Sequence, residues 1–268
     1  MIYNILFYGN CQMESISNMI IPSEKYKIHN LKCWETEISQ IEFINLIKNM
    51  DLIVMQSIEN DYRDKTYLSS TYIINNSNAT TEFIIITNLY FPYYYFDSYI
   101  DTTSTYLYEY KHLKECKSNK NKSKIDFLKD VLFNNNFKTL EELKILEDYC
   151  FENLEQRLEI MNLYKEYYSN KKIEIINFIP FIKDNFKNKL LFNSLNHPSK
   201  DLLCEVCKTI NYKINNMLEF DYTREELIYY KGLLYACLQK TLNFDILNID
   251  ININTETNII TFINNYFK

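Results

Sequence analysis

Two side chains in this sequence have the types and settings to attack a carbonyl or move a proton. One is Cys11, in Gly9-Asn10-Cys11-Gln12, and the other is His197, in Asn196-His197-Pro198-Ser199. Cys11 follows an apolar run, Ile2 to Tyr8, that stops abruptly at Gly9. That pattern reads as a buried strand ending in a tight turn from which a helix, Cys11 to Ile21, departs. Gly9 is one of only two glycines. A glycine at such a turn supplies positive φ and lets backbone or ligand come close. Cys11 would then lie in the first helical turn, where free amides and the positive dipole end favour a thiolate, so a lowered thiol pKa is expected. The competing reading makes Cys11 a small buried hydrophobe, the usual fate of a free cysteine. Of the three histidines, His29, His112 and His197, only His197 stands in a polar loop between an apolar run and a helix. An imidazole there can take and return a proton near neutrality, although a lone histidine is more often structural.

The elements that must position these residues alternate. After the first helix, Lys25 to Leu31 reads as a second strand, Ile38 to Met50 as a helix, and Asp51 to Met55 as a short apolar strand of the kind that fills a parallel sheet. The polar loop Gln56 to Arg63 follows directly. Thr66 to Asn75 is a weak helix, Glu82 to Thr87 a strong fourth strand, and Asn88 to Pro92 leads into the aromatic segment Tyr93 to Phe96. This alternation predicts an open α/β sheet with ligands gathered outside the carboxyl ends of its strands. Cys11, the 56–63 loop and His197 each follow a predicted strand, so all three are expected at one sheet edge.

The second half is less regular. No clean period appears from Ser98 to Asn136, the place for an insertion or lid. Thr139 to Ser169 is a long helix with Thr139 and Glu142 at capping-box spacing. Lys171 to Phe186 is ambiguous between strand and helix and is broken by Pro180. Lys189 to Phe192 is a further short apolar run, Asp201 to Met217 a helix, and Asp221 to Leu242 a last helix with Thr223 and Glu226 at capping-box spacing. The tail after Asn243 alternates weakly. Residues 1–217 are read as an α/β catalytic domain, with 218–268 as a helix and tail packed on it.

Composition narrows the classes. The chain has 268 residues, a net charge of −6 and 47% hydrophobic residues, an ordinary globular balance. Apart from Lys117 to Lys124 no basic block stands out, which argues against a nucleic-acid partner. No apolar run approaches bilayer-spanning length, and Met1 leads straight into the first strand without a signal-peptide pattern. Seven cysteines, odd in number and irregularly spaced, suggest reduced thiols in a cytoplasm. Cys204 and Cys207 form a lone CxxC with no second pair to complete a zinc site, so no metal is expected.

Gly9-Asn10-Cys11-Gln12 after the first strand, Gln56 to Arg63 after the third, Asn88 to Pro92 after the fourth and Asn196 to Ser199 late in the chain together resemble the WcbI-like family of polysaccharide-biosynthesis proteins, assigned as acetyltransferases. The resemblance runs through the first 200 residues and does not extend beyond about Met217. It implies a three-layer, open, mainly parallel sheet of SGNH or flavodoxin-like type, with helical additions in the C-terminal half. It also implies a cytoplasmic bacterial enzyme that binds coenzyme A or acetyl-CoA and acetylates a sugar of a capsular or other surface polysaccharide. In the related SGNH hydrolases the first strand delivers a serine nucleophile and a late histidine is its base. Cys11 stands in the serine's place and His197 matches the histidine. The acidic residue usually found three positions before that histidine is Ser194 here.

Two routes are open. His197 could deprotonate Cys11, whose thiolate takes the acetyl group before a sugar hydroxyl does. Alternatively His197 could deprotonate the sugar hydroxyl directly while Cys11 lines the site. The amides of Cys11 and Gln12 with the Asn60 side chain are the candidate oxyanion donors. Arg63 and Lys200 are candidates for phosphates of CoA or of a nucleotide-linked sugar. Gly9, Asn10, Gln56, Ser57, Asn88, Tyr90, Asn196 and Ser199 complete the expected substrate and CoA site. Two other readings compete: an SGNH-type carbohydrate esterase, and a non-catalytic sugar- or nucleotide-binding accessory protein.

Overall fold

The computed structural model describes residues 2–34, 37–60, 62–96, 98–100, 108–110, 138–224, 226–227, 234 and 236–244. The chain divides into two compact units. The first comprises Met1–Leu89, Asn153–Pro180 and Lys200–Glu226, the second Tyr90–Glu152, Phe181–Ser199 and Leu227–Lys268.

The first unit is the α/β sheet that the alternation predicts. Strands β1 (Tyr3–Gly9), β2 (Tyr26–Lys32), β3 (Leu52–Gln56), β4 (Glu82–Ile86) and β7 (Ile173–Ile176) form one sheet in the order β2-β1-β3-β4-β7, every pair parallel. Register follows from burial. Leu31, Tyr8, Met55, Ile85 and Ile175 line up across all five strands, as do His29, Leu6, Ile53, Phe83 and Ile173. These rows share one face, and a slip of one residue would turn them to the other. On that face they pack against Phe43 and Ile47 of α2 (Gln40–Lys48), Ile73 and Ile74 of α3 (Ser70–Asn76) and Met161 of α4 (Leu140–Tyr167). On the other face α1 (Cys11–Asn18) lies against β1 and β2, and α6 (Lys200–Lys213) against β7 and α1. The result is three layers, as expected. Each fully buried aliphatic or aromatic side chain contributes about 1.5–3 kcal/mol. The lone CxxC is part of this packing: Cys207 is buried on α6 with its sulfur 3.9 Å from the Met19 sulfur.

The second unit centres on aromatic rings. Phe91 has ring centroids of Tyr94, Phe151, Phe186 and Phe192 within 5.4–5.9 Å. Tyr94 donates to the carbonyls of Phe186 (2.6 Å) and Lys189 (3.0 Å), so its buried hydroxyl is satisfied. The aromatic segment after β4 is therefore core. Antiparallel strands β8 (Phe192–Ser194) and β9 (His197–Pro198) form a small hairpin of their own. A second short antiparallel pair, β5 (Ser98–Ile100) with β6 (Tyr108–Tyr110), falls in the stretch read as an insertion. The rest of that stretch, with His112, Cys116, Lys117 to Lys124 and the tail beyond Phe244, lies outside the described residues.

Three expectations need correction and one open reading is resolved. The apolar run before His197 does not feed the parallel sheet; it leads into the β8–β9 hairpin, because Phe192 pairs with Pro198 and Ser194 with His197. The ambiguous segment holds both elements, β7 and then α5 (Ile179–Asn185), with Pro180 at the helix start, where its missing N–H costs nothing. The helix expected over Asp221 to Leu242 is not formed by its described residues. Thr223 gives both its N–H (2.9 Å) and its hydroxyl (2.6 Å) to the Asp221 carboxylate instead of capping Glu226. Leu227 is left-handed (φ 60) and Ala236–Lys240 is a 3-10 turn. Finally, Gly9 does not have positive φ. What it supplies is space: a Cβ there would sit 2.5 Å from Gln56 Oε1 and 2.6 Å from Met13 Cγ. Among the described residues no helix is long and apolar enough to cross a membrane.

Candidate active site

The strand order reverses between β1 and β3, and at such a point an open α/β sheet leaves a crevice beyond its carboxyl ends. The turns after β1 and β3 meet there through amides. Asn10 caps α1, its Oδ1 accepting from Gln12 N–H at 2.9 Å. Gln12 is fully buried, and its carboxamide is saturated. Its Nε2 donates to Leu89 O (2.9 Å) and Asn88 Oδ1 (3.1 Å), and its Oε1 accepts from Leu89 N (3.1 Å) and Gln56 Nε2 (2.8 Å). Gln56 Oε1 accepts from Asn10 N (2.8 Å), and Asn10 Nδ2 donates to Asn88 Oδ1 (3.0 Å). Gly9, Asn10, Gln12, Gln56 and Asn88 thus come together as a frame joining the ends of β1, β3 and β4. Gln12 and Gln56 turn their polar groups on the protein itself.

Cys11 begins α1 inside this frame and is half-buried. Its thiol is the reverse of what its place on the helix suggests. Burial pushes it up to about 11, and the amides of Cys11 and Gln12, which pull it down as expected, do not compensate. Glu14 and Cys33 push it the same way as burial. The resting sulfur is therefore a thiol at neutral pH. One expected oxyanion donor is also spent, since Gln12 N–H is held by the Asn10 cap. The amide of Cys11 and the exposed Asn60 stay as candidates.

Beyond β3 and β4 lies a cavity of about 370 Å³ lined by Ser57, Asn60 and Asn88 of the expected site, and by Glu59, Thr71, Thr87, Arg157 and Tyr164, with Ile58, Ile160 and Met161 supplying apolar surface. Ser57 and Tyr164 join hydroxyls at 3.2 Å. Arg157 Nη1 donates to Asn88 O at 3.1 Å, tying α4 to the turn after β4. Arg157 and Tyr164 were not anticipated, because on the long helix they read as parts of an amphipathic pattern. A signal existed for Arg157: the sequence holds only three arginines among its 29 cationic residues, and a fork-shaped donor is not interchangeable with lysine.

Arg63 is exposed and left-handed (φ 53), with Nη1 on Trp34 O at 3.3 Å and the guanidinium 5.7 Å from the Tyr62 ring. Lys200, at the start of α6, donates to Thr223 O at 3.1 Å. Neither lines the cavity.

Tyr90, Asn196, His197 and Ser199 belong to the second unit. The β8–β9 hairpin is held on the aromatic core by Phe91 N–H to Leu195 O (2.9 Å) and by the Tyr95 hydroxyl to Phe192 O (2.9 Å). Within it, His197 Nδ1 lies 2.6 Å from Ser194 Oγ, so the serine in the usual acid's place does contact the imidazole. A neutral hydroxyl can fix the ring but cannot stabilise its positive charge. Accordingly burial dominates and pushes His197 down to about 4, leaving it neutral at pH 7. Ser199 Oγ is buried without a hydrogen-bond partner among the described residues.

Residues 4–114 match the family model described as polysaccharide biosynthesis enzyme WcbI. Over that segment the chain is similar to the WcbI family. The WcbI match takes in β1 to β4, the Gly9 to Gln12 turn, the 56–63 loop and Asn88, and it ends before α4 and His197. Among solved structures, one of WcbI, called a novel polysaccharide biosynthesis enzyme and described as native protein without a disulfide bond between CoA and one of its cysteines, aligns with a TM-score of 0.71. The alignment covers 99% of this chain and 94% of WcbI at 16% identity, and so establishes a shared fold. No curated protein sequence matches the chain.

Proposed function

We propose that this chain is a CoA-dependent O-acetyltransferase that moves an acetyl group from acetyl-CoA to a sugar hydroxyl in the making of a bacterial capsule or other surface polysaccharide, acting in the cytoplasm. The observation that carries the reading is the placement of Cys11: a half-buried thiol at the first turn of α1, at the sheet's reversal point, held by a saturated amide frame. It is supported by the WcbI match over the same segment and by the mention of CoA beside a cysteine, without a disulfide bond between them, in the description of the WcbI structure.

Of the two routes, direct transfer fits these groups better. A thiol pushed up to about 11 is a poor nucleophile at pH 7, whereas the imidazole, although burial weakens it as a base, is neutral at that pH and has a nitrogen that can accept a proton. In this reading the sugar oxygen attacks the thioester carbonyl carbon and gives its proton to Nε2 of His197. Nδ1 then keeps its hydrogen toward Ser194. The tetrahedral intermediate collapses, the carbon–sulfur bond breaks, and the CoA thiolate leaves and takes the proton back. Cys11 N–H and the Asn60 side chain are the candidate donors to the oxyanion.

Mass spectrometry of the protein mixed with acetyl-CoA separates the routes. The expected result is an unmodified Cys11 peptide together with acceptor-dependent release of CoA. An acetylated Cys11 peptide that forms and decays at the turnover rate would replace the direct route by the covalent one.

A further inference from the structure

We infer that the cavity beyond β3 and β4 is the site for an uncharged pyranose sugar and that the CoA nucleotide binds elsewhere; the identification of that sugar as the acetyl acceptor rests on the function proposed above.

The lining makes the choice. Six of the eleven residues are uncharged hydrogen-bonding side chains, namely Ser57, Asn60, Thr71, Thr87, Asn88 and Tyr164. Hydroxyls and carboxamides both donate and accept, as sugar hydroxyls do. Ile58 and Met161 are buried and give the cavity an apolar wall suited to the C–H face of a pyranose. The two charged residues, Glu59 and Arg157, offset each other, and Arg157 already donates to Asn88 O. The phosphates of CoA would need several cations or free amides around them. Among the described residues the lining offers no lysine and places a carboxylate among its walls. Its volume of about 370 Å³ stands at the low end for ligand pockets, roughly 300–1,000 Å³, enough for a small sugar and short of a whole CoA.

The test is saturation-transfer NMR on the full chain with the methyl pyranosides of glucose, galactose and mannose, set against glucose 6-phosphate, together with calorimetric titration of CoA. Two variants report on the cavity: Thr71→Phe, which fills it from α3, and Tyr164→Phe, which removes one hydroxyl and keeps the ring. At least one neutral pyranoside should receive saturation and glucose 6-phosphate should not. Thr71→Phe should abolish the effect. Tyr164→Phe should weaken binding roughly two- to tenfold, the worth of one hydrogen bond. CoA titration should be unchanged in both. Saturation of none of the neutral sugars, or a loss of CoA binding in these variants with sugar binding intact, would overturn the assignment. Sugar binding in a chain that binds no CoA would instead remove the acetyltransferase reading and leave the cavity's ligand class standing.

Discussion

Gln12 reads both backbone groups of Leu89, donating Nε2 to its carbonyl at 2.9 Å and accepting its N–H on Oε1 at 3.1 Å. Because a backbone N–H can only donate and a backbone C=O can only accept, this contact fixes which end of the Gln12 carboxamide is oxygen. That in turn fixes Gln56 and Asn88, whose bonds to Gln12 follow without conflict. The turn carrying Cys11 is thereby indexed to the ends of two other strands. Replacing Gln12 by Ala strands Leu89 N–H and O in a buried place, and destabilisation by about 2–4 kcal/mol is expected in denaturant unfolding with an unchanged m value.

Gly9→Ala should cost about 1–3 kcal/mol through overpacking, since the added methyl meets Gln56 Oε1 and Met13 Cγ. A double-mutant cycle with Gln56→Ala is expected to be non-additive. The second change removes one of the two clashing groups along with a partner of Asn10 N. Additive costs would mean that Gly9 is needed for another reason.

Continuous apolar runs such as Leu52 to Met55 and Phe83 to Ile86 are strands buried on both faces, and the sheet was legible from them. So was the start of α4, where Thr139 and Glu142 exchange bonds of 2.7 and 3.1 Å as their spacing predicts. The mutual pairing of Gln12, Gln56 and Asn88 was not, because residues 44 and 76 positions apart carry no local signal of contact. Nor was the thiol's upward shift, since burial outweighs the helix amides only once the surroundings are known. The helix expected over Asp221 to Leu242 rested on a good apolar pattern, and at its described start Asp221 instead takes the groups of Thr223.

His197 makes stability pH-dependent. Its folded value, about 4, lies below the ordinary 6.5, so between these limits the unfolded chain binds more protons. Its contribution is fully present above pH 6.5 and declines as pH falls toward 4, by up to about 3 kcal/mol. His29 is shifted the same way, by burial and Lys27. Comparing unfolding curves of the wild type and His197→Asn across this range isolates the His197 share. The acid limb of acceptor-dependent turnover is likewise expected near pH 4, and a limb at 6.5 would point to an unburied imidazole.

Cys11 should alkylate slowly. With its thiol held up to about 11 by burial, the iodoacetamide rate at this cysteine is expected to keep rising through pH 9, the ordinary thiol value. A plateau reached by pH 7 would indicate an activated thiolate and favour the covalent route.

Calorimetric titration of acetyl-CoA into the protein goes to the centre of the account. One saturable site with unit stoichiometry is predicted, weakened by Cys11→Trp, which would crowd the first turn of α1. Absence of binding at millimolar acetyl-CoA would contradict the assignment of this chain as a CoA-dependent transferase.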